Sequence, residues 1–561
     1  MTRFLGMSLI LAFLLGSWTS NLRTSVKANS GKENAEIHLL RGQAHLEKGR
    51  NQEALVELKE ALAADSTLVE VRYHLGLAQW NLGHYPEAAE NFKKTLELSP
   101  DHVLSAYYLG QIFLQRNDLP KATEFFERAL RPGRAKPPLD LYFQLGKTYL
   151  AQGDLEAGIR VLEQATNLYG KDDRVYAQLG KAYMKLGRKE EAEKALVKSK
   201  ELRDYQREAT SLLLSCSEYL KSNELDKAHK IYRRILGTDD VDDLVALGIN
   251  FSQNRLYDQA EQLFRRAVSV APDSFEANYN LGLVLMQVQR YGGAQETLRR
   301  AAELRPYSFE ASSVLGVMLS QSGNNEQAIR ELIRAEQLRP GEPKVLTLLG
   351  LQLIEGRYYA EAISTLRRAV DLHPDNSDLH FLLVQAYYQH HDFERALQEA
   401  QSILSHIPDS ARANFEVGFQ LKNFGRFHES EPYFLKAISI DAAYTEALSM
   451  LGDLRLIDGK YEEALSYFQR AIGTDQSRID SYLGAAKALL GLQSYPDLID
   501  LLRKAEAIDP KNPQPHLHLS QAYRALGQNE KAAQEAEVFK RLNAVRMTQR
   551  DEQVEREFRE R

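Results

Sequence analysis

Cysteine is almost absent from this 561-residue chain, in which Cys216 is the only one. A single thiol excludes an internal disulfide framework and any cysteine-based zinc cluster. A surplus of either charge is also missing, because 71 lysines and arginines face 77 aspartates and glutamates, giving a formal net charge of −6. Nucleic-acid binders gain much of their affinity from surplus cationic side chains, so this near balance argues against that class of function.

The motifs of common catalytic and cofactor sites are missing as well. The chain has no glycine-rich phosphate loop, no His-Glu-x-x-His pair and no Gly-x-Ser-x-Gly elbow. His516 and His518 are two residues apart, which directs them to different faces of a helix and disfavours a shared metal. His390 and His391 fall in a predicted turn, where solvated side chains are ordinary. We therefore predict no catalytic residue, no cofactor and no metal.

The first 28 residues differ from the rest of the chain. Arg3 precedes a largely apolar run from Phe4 to Trp18, and Val26-Lys27-Ala28 fits a cleavage site. This pattern predicts a secretory signal cut after Ala28 and hence an exported protein, periplasmic or secreted. The alternative is an uncleaved membrane anchor, although fifteen helical residues rise only about 22 Å against a hydrocarbon core of about 30 Å. No later run is apolar and long enough to span a bilayer.

A period of 34 residues runs through most of the remaining chain. When the repeats are numbered so that a recurrent glycine holds the eighth place, eleven of fifteen repeats have glycine there, where chance would give about one. Alanines recur twelve and nineteen residues later, and a proline ends many repeats. The glycines at the eighth place are Gly42, Gly76, Gly110, Gly146, Gly180, Gly248, Gly282, Gly316, Gly350, Gly418 and Gly452.

This pattern resembles the tetratricopeptide repeat, a helix–turn–helix unit, over about residues 35–546. The resemblance implies an all-α fold, an α-solenoid in which about fifteen repeats stack into a right-handed superhelix. One repeat cannot bury its own apolar stripe, so stacked neighbours complete a continuous core. Cys216 at the eighth place predicts a buried small side chain rather than a nucleophile. Val384 is larger than its equivalents, and we expect it to spread the packing locally.

Departures from the period predict the organisation of the chain. The repeats near 200–240 are less regular, which suggests a softer joint, and 132–138 adds two residues in a proline-rich exposed turn. The predicted segments are a signal peptide (1–28), a short linker (29–34), an N-terminal repeat block (35–204), an irregular sixth repeat with a possible hinge (205–240), a C-terminal repeat block (241–546) and a charged tail or capping helix (547–561).

Binding residues follow from the resemblance alone. In this family the first helices line the concave face, and ligands contact their second, fifth, ninth, twelfth and thirteenth places. Carried over, these places form an aromatic start, a basic patch with Arg174 nearby, and a long aromatic block, although some of the rings could instead pack between helices. The predicted groove residues are Tyr73, Leu77, Trp80, Tyr107, Gln111, Phe143, Lys147, Lys181, Lys185, Tyr279, Leu283, Met286, Phe381, Gln385, Tyr388, Phe415 and Phe419.

Two specialised modes of the family do not fit these places. The carboxylate clamp pairs a lysine at the fifth place with an asparagine at the ninth, and no repeat has that pair. The asparagine ladder of the protein O-GlcNAc transferase needs asparagine at successive sixth places, where only Asn280 stands. The pentatricopeptide RNA readers have a longer period and a basic groove, and neither feature is present.

The function predicted is a non-catalytic, exported scaffold or adaptor that binds peptide or helical segments of other proteins in its groove. Its partners are proteins rather than nucleic acids or metals, and a membrane is involved only if the N-terminal segment stays uncleaved. Two alternatives remain. The chain could regulate, or recruit substrate for, a separate enzyme such as a glycosyltransferase or an envelope polysaccharide-secretion system, or it could bind a glycan through Trp80 and the tyrosines.

Overall fold

The computed structural model describes residues 23–131 and 139–559. Within these ranges every regular element is an α-helix, and successive helices pack as antiparallel pairs in tandem. The all-α solenoid of tetratricopeptide type is therefore confirmed. The predicted exposed turn at 132–138 and most of the predicted signal segment, residues 1–22, lie outside the described residues.

The fifteen predicted repeats correspond to 29 helices within the described residues, because one pair of helices is fused. Their bounds are α1 (Arg23–Glu47), α2 (Asn51–Ala64), α3 (Val69–Asn81), α4 (Tyr85–Leu98), α5 (Val103–Gln115), α6 (Leu119–Leu130), α7 (Leu139–Gln152), α8 (Leu155–Tyr169), α9 (Asp173–Lys185), α10 (Lys189–Lys221), α11 (Leu225–Leu236), α12 (Val241–Gln253), α13 (Tyr257–Val270), α14 (Phe275–Gln287), α15 (Tyr291–Leu304), α16 (Phe309–Gln321), α17 (Asn325–Leu338), α18 (Pro343–Glu355), α19 (Tyr359–Leu372), α20 (Ser377–Gln389), α21 (Phe393–His406), α22 (Ala411–Asn423), α23 (Phe427–Ile440), α24 (Thr445–Ile457), α25 (Tyr461–Thr474), α26 (Ile479–Gly491), α27 (Tyr495–Ile508), α28 (Gln514–Ala525) and α29 (Asn529–Arg559).

Local sequence sets where the helices begin and turn. Ser274, Ser308 and Ser410 precede first helices, and each accepts a hydrogen bond from the backbone amide three residues on, which satisfies a free N–H at the helix start. The fifteenth place, inside the turn between paired helices, has a positive φ in all fifteen repeats. Glycine fills it in eight, as at Gly323, while seven repeats accept a side chain there, as at His391.

The recurrent glycine allows the two helices of a repeat to approach closely. In each of the eleven repeats that has it, a β-carbon on that residue would come within 2.4–2.8 Å of the leucine or phenylalanine sixteen residues later. Phe434, for example, lies against Gly418 and is fully buried. Cys216, at the same place, is also fully buried, and burial raises the pKa of its thiol to about 11. Cys216 therefore packs as a small apolar side chain, as predicted.

Val384 has the local effect that we expected, because the two helices of its repeat pack less closely than those of repeats with glycine at the eighth place. Its repeat carries alanine, Ala400, at the position sixteen residues later where the eleven repeats with glycine have leucine or phenylalanine. Both side chains are buried, with Val384 1% exposed and Ala400 fully covered. The larger residue at the eighth place is thus matched by a smaller one at the facing place, a volume-conserving exchange that packing tolerates.

The irregular region near the sixth repeat is a single long helix. Helix α10 joins the second helix of the fifth repeat to the first helix of the sixth over 33 residues. Neither glycine nor proline occurs from Lys189 to Lys221, so the sequence contains no strong helix terminator within this helix. The predicted block boundary at 204/205 falls inside this helix, and an unbroken backbone hydrogen-bond ladder opposes a hinge at that point.

Both ends of the described chain are helical. Helix α1 starts at Arg23 and runs through the predicted cleavage site and through 29–34, so the expected linker is instead part of the first helix. The polar residues of 29–34 include one glycine and no proline, which a helix accommodates. At the other end α29 continues to Arg559 as one helix, and the role of 547–561 as a charged tail or capping helix stays a prediction.

The chain divides into two compact units, an N-terminal unit up to Val345 and a C-terminal unit from Leu346 onward. This division differs from the predicted joint at 205–240. Each unit has buried alanines, leucines and phenylalanines between its stacked helices. Among the described residues no helix combines the length and the apolar character needed to cross a membrane.

Candidate functional site

Four aromatic side chains of the C-terminal unit form an unbroken line across successive repeats. The ring of Tyr388 on α20 lies 5.5 Å from that of Phe419 on α22, Phe419 lies 5.8 Å from Phe415, and Phe415 lies 5.3 Å from Tyr444 just before α24. All four are only partly buried. We call Tyr388, Phe415, Phe419 and Tyr444 the aromatic platform.

One ring of the platform also packs against the hydrophobic core. The ring of Phe415 lies 5.8 Å from that of Phe434, which is fully buried between the helices of the same repeat. Phe419 and Tyr388 contact other partly exposed rings, including Phe393 at 5.6 Å from Tyr388. Phe415 therefore supports the core as well as the surface, whereas Phe419 and Tyr388 mainly extend the exposed apolar area.

Charged groups border the platform. Lys422 Nζ lies 3.0 Å from Asp453 Oδ2 and 3.2 Å from Met450 Sδ. Nearer the start of the same helix, α22, the Arg412 guanidinium covers the ring of Phe381 at 3.9 Å and lies 3.8 Å from Asp378 Oδ1. This arrangement surrounds an apolar strip with polar groups, as in the centre and rim of protein interfaces.

Glu416 lies next to Phe415 in sequence and is the unusual carboxylate of this region. Burial raises its pKa to about 7, only partly offset by the charge of Arg412. No hydrogen bond from the described part of the chain reaches this carboxylate, and Arg412 is engaged with Phe381 and Asp378. The site thus holds a poorly solvated acid that has no strong cationic partner of its own.

The raised pKa of Glu416 predicts how stability depends on pH. A buried acid that is harder to ionise in the folded state costs no stability below its unfolded pKa, and the cost grows as pH rises to its folded pKa. Glu416→Gln should therefore leave protection of α22 against hydrogen exchange unchanged at about pH 4 and raise it by up to about 3 kcal/mol at about pH 8.5. Exposed Glu394→Gln is the control, and equal effects of the two variants at high pH would contradict the assignment.

In the N-terminal unit the predicted aromatic start of the groove lies partly in the hydrophobic core. Tyr73 is 7% exposed and its ring packs among Phe92, His102 and Tyr108. Trp80 is partly exposed, with its ring 5.5 Å from that of Tyr108. Leu77, also partly buried, packs against the same cluster.

The basic patch lies beside a series of hydrogen-bonded polar side chains. The Tyr107 hydroxyl donates to Asp140 Oδ2 at 2.5 Å and accepts from Gln111 Nε2 at 2.8 Å. Phe143 is 8% exposed because Lys147 and Arg174 cover its ring at 5.4 and 4.9 Å. Lys147, Lys181 and Lys185 are exposed, and their part in a binding groove stays a prediction.

The predicted long aromatic block includes residues of α14. Tyr279 stacks on Phe275 with ring centroids 5.5 Å apart, and burial raises the pKa of its hydroxyl. Leu283 and Met286 are partly buried on the same helix. In the C-terminal unit Gln385 is exposed beside the platform, whereas Phe381 is 6% exposed beneath Arg412.

Three of the predicted contact residues need correction. Tyr73, Phe143 and Phe381 occupy the fifth place, yet neighbouring rings or cationic side chains cover them almost completely. They support the surface instead of forming it. Sequence reasoning missed Tyr444 and Glu416, which occupy the last and the sixth places of their repeats. Arg412 occupies the second place, so the rule that selected the groove residues could have included it.

The arrangement offers an apolar contact surface with polar neighbours. In the described residues no group of three or more histidine, cysteine, aspartate or glutamate side chains is placed to hold a metal ion. His516 Nδ1 donates to Glu535 Oε2 at 2.7 Å, and His518 Nδ1 faces Gln521 Oε1 at 3.1 Å, so the two imidazoles have separate partners. Partly exposed aromatic rings with charged neighbours offer apolar area and orientation to a bound chain.

Comparisons with known families agree with this architecture. Models described as tetratricopeptide or TPR repeats match residues 42–83, 69–102, 353–414 and 421–479. The model of the Cilia and flagella-associated protein 70 C-terminal domain matches residues 102–332. No curated protein matches the chain.

Several solved structures resemble parts of the chain at low identity. The Cut9–Hcn1 hetero-tetramer of APC/C is 12% identical, covers 84% of this chain and 94% of its own, and has a TM-score of 0.36. YrrB, a TPR protein with an unusual peptide-binding site, is 19% identical over 33% of this chain and 95% of its own, with a TM-score of 0.30. MamA from Desulfovibrio magneticus RS-1 is 16% identical over 30% of this chain and 96% of its own, with a TM-score of 0.28.

Because these TM-scores are low, the assignment rests on the repeat models and on the helix pairs. The models together match most of residues 42–479, and the same helix–turn–helix pairs continue beyond them to α29. The chain therefore belongs to the tetratricopeptide repeat proteins.

Proposed function

We propose that this protein is an exported, non-catalytic scaffold that binds a peptide or helical segment of another protein along its first helices. The aromatic platform is the observation that carries this proposal. Its four partly exposed rings touch in sequence across repeats, which offers a continuous apolar strip instead of isolated surface residues.

The chemistry of the platform favours a protein segment as ligand. Aromatic side chains provide a large contact area at a modest loss of conformational entropy, and they dominate the affinity of protein interfaces. Lys422, Asp453 and Arg412 at the border supply the polar contacts that orient a bound backbone. Contacts repeated along successive helices add through effective concentration, so no deep pocket is required.

Export follows from the N-terminal sequence and forms part of the same proposal. The apolar run from Phe4 to Trp18 and the site ending at Ala28 support secretion with cleavage. Retention of that segment would instead tether the scaffold to a membrane. Mass spectrometry of the mature N-terminus from the native host distinguishes the two, since cleavage leaves Asn29 as the first residue.

The binding role is tested by a photo-crosslinking residue at exposed Gln385, used in the full chain in its native host. Tyr388→Ala with Phe419→Ala should weaken capture of the partner about thirtyfold, since central aromatic contacts contribute about 2 kcal/mol or more to binding. Phe415 is left intact because its ring packs against buried Phe434, and truncating it would disturb folding.

Phe427→Ala provides the matched control. Its ring is 38% exposed and begins the second helix of the same repeat, away from the platform. Equal capture by the control and the double variant, with unchanged helical content in both, would contradict a binding role for the platform. Stoichiometric recovery of an enzyme would identify the chain as a regulatory or recruiting subunit instead.

A further inference from the structure

The first repeat contacts repeats that are far away in sequence within the N-terminal unit. Helix α1 lies against α17, and Arg41 Nε donates to the backbone oxygen of Gln337 at 2.5 Å. Glu47, at the end of α1, pairs with Arg305 at 2.7 Å, and the next residue, Lys48, pairs with Glu310 at 2.9 Å. The stack therefore curves back on itself after about seven repeats.

The two repeats that receive α1 carry the same three side chains. In the eighth repeat Arg305 covers the ring of Phe275 at 4.1 Å and pairs with the adjacent Glu276. The ninth repeat has the equivalent residues 34 positions later: Arg339 covers Phe309 at 3.7 Å and pairs with Glu310 at 3.0 Å. No other repeat in the sequence combines Phe, Glu and Arg at these places.

The Phe–Glu–Arg triad restricts the positions of the charged groups that contact the first repeat. The ring beneath each arginine limits where the guanidinium can lie, and the adjacent carboxylate fixes it further. Arg305 then meets the carboxylate of Glu47, and Glu310 meets the ammonium of Lys48. The adjacent residues Glu47 and Lys48 of the first repeat thus find partners of opposite charge on the receiving repeats.

The contact is polar and partly solvated. The side chains of Glu47 and Lys48 are each 36% exposed, and those of Arg305 and Glu310 are 27% and 43% exposed. Ion pairs in such positions are individually weak and are screened by salt. A closure made of them is therefore reversible, unlike the apolar packing that joins consecutive repeats.

We propose that the first repeat is a latch, which closes the N-terminal unit by docking Glu47 and Lys48 on the Phe–Glu–Arg triads of the eighth and ninth repeats. Opening separates the first repeat from the eighth and ninth without unfolding any of them. Closure also engages Glu310, so any partner that pairs with this carboxylate has to displace Lys48. The latch does not depend on the platform and requires no partner.

Distances between two spin labels on the full chain measure the state of the latch. The labels are attached at Glu60→Cys on α2 and Glu326→Cys on α17, both at exposed positions, with buried Cys216 replaced by alanine. At low salt we expect one narrow, short distance. Lys48→Glu should lengthen it by more than about 10 Å, one helix diameter, with unchanged helical content. About 1 M NaCl, where the screening length is about 3 Å, should have the same effect on the unaltered chain.

A charge exchange separates the latch from general effects of charge. Adding Glu310→Lys to Lys48→Glu restores an attractive pair and should restore the short distance. Lys93→Glu, an exposed change on α4 away from the contact, should leave the distance unchanged. A long or broad distance in the unaltered chain at low salt would overturn the proposal, and so would a short distance that neither Lys48→Glu nor salt changes.

Discussion

Gly316→Leu is expected to lower the free energy of unfolding of the ninth repeat and its neighbours by about 3 kcal/mol. A β-carbon at position 316 would lie 2.8 Å from Leu332 Cγ, closer than two carbons approach without displacement. Leu332 is fully buried and cannot move into solvent. The remaining atoms of a leucine at 316 would force α16 and α17 apart, so the helix pair would lose packing along its length.

Chemical denaturation and hydrogen exchange measure this effect together, since a repeat array need not unfold in one step. Gly316→Ala should cost less, because it adds only the β-carbon. Gly292→Ala is the matched control: Gly292 lies in helix α15, and a β-carbon there would meet no other atom within 4 Å. That variant should be neutral or slightly stabilising, because alanine favours a helix by about 1 kcal/mol over glycine. A small loss at 316, similar to that at 292, would show that the helix pair adapts easily.

Glu535→Ala should release the C-terminal helix, at a cost of about 3 kcal/mol. The Glu535 carboxylate accepts from His516 on α28 and, at 2.7 Å, from Arg503 on α27, so one side chain joins three consecutive helices. Its side chain is 11% exposed and that of His516 is 6% exposed. Removing the carboxylate leaves a buried imidazole without its partner, and water reaches it only if α29 moves away.

Hydrogen exchange along α29 measures this loss, because a terminal helix opens locally before the rest of the array unfolds. Glu537→Ala is the control on the same helix, since Glu537 is exposed and should have almost no effect. Glu535→Gln keeps a hydrogen-bond acceptor and should fall between the two. Unchanged protection of α29 in Glu535→Ala would mean that apolar contacts such as Ala532 hold the cap without the ionic network.

The two variants differ in how far their effects extend. Gly316 lies inside the array, where each repeat stabilises both of its neighbours, so opening there exposes two interfaces. Glu535 acts at the last repeat, which has a neighbour on one side only. We therefore expect Gly316→Leu to reduce protection in the eighth to tenth repeats, and Glu535→Ala to reduce it mainly in α28 and α29.

The regular spacing predicted which residues face each other, but not the paired changes in side-chain size at facing positions. The facing residues Gly418 and Phe434 follow directly from the period, because the same pair recurs sixteen residues apart in other repeats. The size of Val384 predicted the looser contact of its helix pair, but not that both side chains would stay buried. Its effect depends on Ala400, and only the pair together shows that the volume is conserved.

The sequence by itself determined the helix pairs, the number of repeats and the close contact at the eighth place. These features depend on residues within one 34-residue period, and the periodicity repeats the information fifteen times. The tertiary structure alone decided that Tyr73, Phe143 and Phe381 are covered, that Tyr444 completes the platform and that Glu47 meets Arg305. Each of these outcomes depends on side chains supplied by another repeat, and the curvature that brings distant repeats together accumulates from small rotations that no single repeat encodes.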